Sequence, residues 1–122
     1  MDSYSNNEDT IAAIATAVSA GQGGIAIIRV SGPVAKSVCE RMVEMPGNQV
    51  WDSHKILYGF IKDENTKELI DEVLVLFMKG PRSFTGEDIV EIHCHGGTVV
   101  VQRVLNKILE ESEIRRALPG EF

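Results

Sequence analysis

The run Ile70-Asp71-Glu72-Val73-Leu74-Val75-Leu76-Phe77-Met78, IDEVLVLFM, decides how this chain folds. Nine residues rich in β-branched and aromatic types read as a strand. Both alternating sets, Val73/Val75/Phe77 and Leu74/Leu76/Met78, are apolar, so the expectation is a strand set inside a sheet and covered on both faces. Working outward, ILYGFIK (56–62) precedes it across the polar segment 63–67, which reads as a hairpin loop. GGIAIIRVSG supplies a strand at 25–30, and IVEIHC another at 89–94. The run IAAIATA (11–17) fits strand and helix equally. Between the strands, Val34, Ala35, Val38, Cys39, Met42 and Val43 recur at helical spacing behind Pro33 and stop at Pro46-Gly47. Val101, Val104, Leu105, Ile108 and Leu109 form the apolar stripe of a second helix over 98–111. The order β-β-α-β-β-β-α implies an α/β fold of the α+β sandwich kind, a mixed sheet with two main helices packed on it.

At 122 residues, the chain has room for one domain with a hydrophobic core. Its 43% apolar and 25% charged residues are those of a folded protein. A formal net charge of −6 opposes binding to a polyanion, because non-specific nucleic-acid affinity comes from Lys and Arg neutralising phosphates. Residues 1–8 read as a flexible polar leader and 9–122 as the domain. The leader lacks the basic and apolar regions of a secretory signal, and no apolar run approaches the roughly 20 residues of a membrane span, so the expected location is cytoplasmic, with no membrane association. Cys39 and Cys94 are too few for a disulfide framework, and each lies in an apolar pattern, which predicts buried free thiols.

The chemistry-bearing residues concentrate in SFTGEDIVEIHCHGG (83–97). If 89–95 is extended, Val90, Ile92 and Cys94 share one face, while Glu91, His93 and His95 share the other. Glu91 and His95 then stand about 13 Å apart, too far to share one ion, so at most a neighbouring pair could chelate a metal. Hydrogen-bonded sheet histidines are the alternative. Gly21 to Ala26 superficially matches a dinucleotide fingerprint, but a strand follows it where a helix is required. No P-loop motif occurs. Ser31, Ser83 and Thr85 have no nucleophile-elbow context and read as loop-capping hydroxyls. Arg29 sits in the middle of an apolar strand, and Glu91 has the matching problem on its own strand, since an unpaired buried charge is costly. Two readings stay open here: a structural pair across the sheet, or a fork of donors and a pair of acceptors framing a polar ligand.

GGIAIIRVSGP (23–33), SFTGEDIVEIHCHGG (83–97) and the terminal PGEF (119–122), in that order and at these separations, resemble the N-terminal domain of the tRNA-modification GTPase family MnmE, also called TrmE. The resemblance runs from about Asp9 to Phe122, and it departs at ATAVSAGQGG (15–24), where the family more often has a shorter, proline-containing loop. It implies a fold like the folate-binding domain of aminomethyltransferases. It also implies homodimerisation and binding of a tetrahydrofolate carrying a one-carbon unit, as 5-formyltetrahydrofolate or methylenetetrahydrofolate, with ligand-contacting positions at Arg29 and Glu91. In the full-length protein it implies GTP hydrolysis with magnesium and potassium, and, with the flavoprotein MnmG, modification of the wobble uridine of tRNA. The helical and GTP-binding domains of that protein, a ligand-contacting lysine past PGEF and a C-terminal cysteine are expected beyond residue 122, and these residues alone are expected to be non-catalytic.

Overall fold

A computed structural model describes residues 9–15, 25–80 and 87–122. The leader 1–8, most of the departing loop, the fingerprint-like glycines 21–24 and the start of the SFTGED motif lie outside the described residues. Among the described residues the chain forms β1 (Thr10–Ile14), β2 (Ala26–Ser31), α1 (Ala35–Met42), β3 (Val43–Glu44), β4 (Lys55–Lys62), β5 (Leu69–Met78), β6 (Ile89–Cys94), α2 (Thr98–Leu109) and β7 (Ile114–Arg116). The strands make one sheet in the order β3-β4-β5-β6-β2-β1-β7. Neighbours run antiparallel except β1 and β7, which are parallel, so the sheet is mixed and the fold is the expected α+β arrangement of a sheet with two helices.

Sequence patterning located the long strands and missed the two short ones. β3 is two residues long, at the end of α1, and β7 is three residues long, after α2. Neither is long enough to show an alternation, and each exists because a neighbouring strand offers it an edge. The ambiguous run at 11–17 resolves as strand where it is described, because β1 is paired on both sides. Thr10 on β1 also reaches the start of α1, its Oγ1 accepting a hydrogen bond of 3.1 Å from Val34 N, where Pro33 and Val34 carry no capping side chain of their own. The turn between β2 and α1 needs glycine at 32. There φ is +139°, and a Cβ would lie 2.6 Å from the Asp9 carbonyl oxygen and the Thr10 Cα.

The two helices close one face of the sheet. Val38 and Cys39 of α1 and Val101, Val104, Leu105 and Ile108 of α2 are buried with Ile28, Val30, Val73, Val75, Phe77, Val90 and Ile92 in a single core. Burial thus selects one of the two apolar sets of β5. Val73, Val75 and Phe77 face the helices, while Leu74 and Leu76 are only half-buried on the opposite side, so the expectation that β5 is covered on both faces fails for these two. Both thiols are free and buried, as their patterns predicted. Burial pushes each up to about 12, which keeps them protonated near neutral pH. No helix among the described residues is long and apolar enough to cross a membrane.

Candidate functional site

The face turned away from the helices is assembled row by row by the strand register. Ile56, Leu76, Glu91, Arg29 and Ala13 lie side by side across β4, β5, β6, β2 and β1. The next row is Tyr58, Leu74, His93 and Ile27. Arg29 and Glu91, which the sequence singled out on separate strands, are therefore direct cross-strand partners. The Arg29 Nε and Nη2 donate to Glu91 Oε2 at 3.0 and 2.7 Å. Glu91 is the more enclosed of the two, its side chain 8% exposed against 25% for Arg29. A carboxylate held that far from water needs compensation, and the guanidinium fork on one oxygen provides it.

The second carboxylate oxygen of Glu91, Oε1, lies 3.3 Å from His93 Nε2. His95 has a different occupation: its Nδ1 is 3.1 Å from the Glu72 carbonyl oxygen, a contact that requires the proton on Nδ1. Its backbone N–H donates to Asp71 Oδ2 at 2.7 Å, which ties the end of β6 to β5. The Glu91, His93 and His95 run thus divides between a carboxylate site and a support at the end of β6. No group of three His, Cys, Asp or Glu side chains among the described residues is gathered to hold a metal ion. Ser31, read as a capping hydroxyl, donates to Glu87 Oε1 at 3.3 Å.

Arg29 also forms the wall of a cleft of about 490 Å³, lined by Ala13, Ile14 and Ala15 on one side and by residues 116–122 on the other. The residues closing it were quoted from the sequence as PGEF, but their place beside Arg29 was not foreseen. After β7, the chain is held to β1 by Ala117 N donating to Ala12 O at 2.9 Å. It then turns at Leu118-Pro119-Gly120-Glu121, with Glu121 N donating to Leu118 O at 3.0 Å and Gly120 at φ +76°. Proline second and a positive-φ glycine third are what a type II turn requires. The turn returns Phe122 to the sheet, its ring 5.9 Å from the Arg29 guanidinium carbon.

Three side chains at this end were missed by sequence reasoning. Arg115 on β7 donates from Nη1 to Glu121 Oε1 at 2.9 Å, from Nη2 to Glu121 Oε2, and from Nε to Asp9 Oδ2 at 3.1 Å. Hydrogen bonding to Glu121 raises the Arg115 pKa further above its ordinary value, and the same bond lowers that of Glu121. The only signal in the sequence was a charged pair, Arg115-Arg116, placed just before a proline-glycine turn. Its partners lie 6 and 106 residues away in sequence, and the distant one is invisible without the fold.

The cleft carries charged side chains on both sides, Arg29 facing Arg116 and Glu121, and its size is that of small-molecule sites in general. Comparison with known proteins gives the family. Residues 10–122 match the family described as GTP-binding protein TrmE N-terminus. The tRNA modification GTPase MnmE of Prochlorococcus marinus (strain MIT 9303) is 62% identical over the whole chain, which covers 26% of that relative. The proteins of the same name from Synechococcus sp. strains CC9902 and WH7803 are 61% identical over 93% of the chain and 57% identical over all of it, covering 25% and 26% of their lengths. The chain spans about a quarter of the length of the curated relatives it matches, and it belongs to the TrmE N-terminus family.

Proposed function

We propose that this domain binds a reduced folate carrying a one-carbon unit, 5-formyltetrahydrofolate or methylenetetrahydrofolate, in the cleft beside Arg29. The observation that carries the reading is the placement of the Arg29–Glu91 pair: on the open face of the sheet, with Arg29 in the cleft wall. The donor set fits such a ligand. Arg29 presents N–H groups to the carbonyl or carboxylate oxygens of a folate. Glu91 accepts two bonds from Arg29 on Oε2 and keeps lone pairs on Oε1, beside His93, for the adjacent N–H and NH2 of a pterin ring. Glu91 is not itself in the cleft lining, so it serves the ligand from the next strand in the same row, by sharing rather than surrendering its bond to Arg29. When bound, the folate supplies the one-carbon unit; the chain's residues bind and orient it.

In this reading the domain is the N-terminal part of a cytoplasmic tRNA-modification GTPase. It forms a homodimer through the outer sheet face, where Ile56 is 71% exposed and Leu74 and Leu76 are half-buried. The full-length protein hydrolyses GTP with magnesium and potassium. Together with the flavoprotein MnmG it adds a carboxymethylaminomethyl-type group to the wobble uridine of tRNA. The tRNA is held by the full complex, since the acidic charge of these residues disfavours it. A second reading is favoured by the same ion pair: Arg29 and Glu91 hold β2 to β6 and do nothing else.

Titration calorimetry with 5-formyltetrahydrofolate tests the first reading: saturable binding that weakens on replacing Arg29 or Glu91 supports it, and no heat at ligand concentrations up to the millimolar range overturns it. Sedimentation at tens of micromolar tests the dimer, and a strictly monomeric chain overturns that part.

A further inference from the structure

The cleft has a wall of its own construction. Residues 117–122 are attached to the sheet at Ala117, and beyond that point their described polar contacts run through Glu121: its carboxylate receives the Arg115 fork, and its Oε1 also accepts Leu118 N at 2.7 Å. Arg115 is in turn braced on Asp9, at the start of β1. One guanidinium thus ties the beginning of the domain to the strap that carries Phe122. The Arg115 fork is bidentate, the arrangement in which a charge-assisted pair fixes direction as well as distance. Both partners' titration shifts have the sense of a well-formed pair.

We propose that Arg115 is a positioning residue for the ligand cleft: by clamping Glu121 and Asp9 it sets the 117–122 strap against β1 and β2, so that Phe122 lies on Arg29 and closes the wall the ligand binds against. This rests on the folate reading above and deepens it. Arg115 does not touch the cleft, so its contribution to affinity is the ordering of the strap before the ligand arrives. A strap that must be ordered on binding costs affinity even when every ligand contact is kept. Glu121 and Phe122 then act as one unit with Arg115, and their effects should not add.

The test is a titration of 5-formyltetrahydrofolate into the wild-type chain, Arg115→Met, Glu121→Gln, their double variant, Phe122→Ala, and Arg41→Met as a control. Arg41 makes a single-contact, more exposed ion pair with Glu111 that takes no part in the cleft, so it controls for the loss of a surface guanidinium. Hydrogen exchange at the Leu118 and Glu121 amides is followed in parallel. The expected result is a Kd raised about five- to thirtyfold in Arg115→Met and in Glu121→Gln, no further rise in the double variant, faster exchange at both amides, and an unchanged Kd in Arg41→Met. Arg115→Lys, which keeps the charge and loses the fork, should fall between wild type and Arg115→Met.

An unchanged Kd in Arg115→Met, with exchange at Leu118 and Glu121 accelerated, overturns the proposal and leaves the folate reading standing. Should Arg115→Met fail to fold, Glu121→Gln and Phe122→Ala decide, and wild-type affinity in both overturns it. A wild-type chain that does not bind the folate takes both readings down together.

Discussion

The two faces of this sheet are built from the same alternating strands and have been put to opposite uses. The inner face is closed by α1 and α2 and is wholly apolar at its centre, with Ile28, Val30, Val75 and Ile92 fully buried. The outer face carries a charged pair, a histidine beside it, half-exposed leucines and a tyrosine bonded to Glu72. One residue of register separates Ile28 from Arg29 and Ile92 from Glu91, so the pleat alone assigns each side chain to stability or to the site. The lesson is that a polar residue interrupting an apolar strand is informative when its cross-strand neighbour is interrupted as well.

The contrast is broken most severely from the inner side. Leu105→Ala removes a fully buried side chain from α2 and should cost about 2–5 kcal/mol of unfolding free energy, measured by urea denaturation, while the folate affinity of the folded fraction stays as it was. A loss of affinity without loss of stability would mean that the two faces are not separable. On the outer side, Glu91→Gln sets an amide NH2 where a ligand donor should bind, and Arg29→Ala removes the fork. Each should cost roughly 1.5–3 kcal/mol, or about ten- to two-hundredfold in folate affinity.

A smaller effect sharpens the inner face. Cys39 and Cys94 titrate at about 12 when folded, against 9.0 for an unperturbed thiol. Between those values the unfolded chain has lost protons that the folded chain keeps, so stability falls as pH rises through that window. From pH 8 to pH 10 the loss should be roughly 1 kcal/mol per thiol, read as the difference between wild type and a Cys39→Ala/Cys94→Ala variant. Equal pH dependence in the two would place the thiols in contact with water. The smallest effect is expected for Ile56→Ser. It should change unfolding free energy by less than about 0.5 kcal/mol, because the side chain is already exposed, yet weaken self-association in sedimentation. An unaltered dimer would move the interface off this face.

Much of this was legible in the sequence, and the limits are physical. The long strands and both helices announced themselves by period, and Arg29 and Glu91 by breaking it. The covering of β5 was over-read, because apolar residues on both alternations do not show that a layer lies over each face, and Leu74 and Leu76 are only half-buried. β3 and β7 were invisible because two or three residues carry no period. The Arg115 clamp was invisible because its brace, Asp9, lies at the other end of the chain. His93 and His95 looked like one constellation, and only the register showed that they serve different neighbours.

The central claim is that Arg29 and Glu91 hold a folate as well as each other. The most direct measurement is a 5-formyltetrahydrofolate titration run beside melting curves for wild type, Arg29→Ala, Glu91→Gln and the double variant. The account predicts a weakened affinity in each single variant at temperatures where it remains folded, and a folate-induced rise in melting temperature that shrinks in all three. Variants that melt early but, while folded, bind folate with unchanged affinity would contradict it and leave the pair as scaffolding.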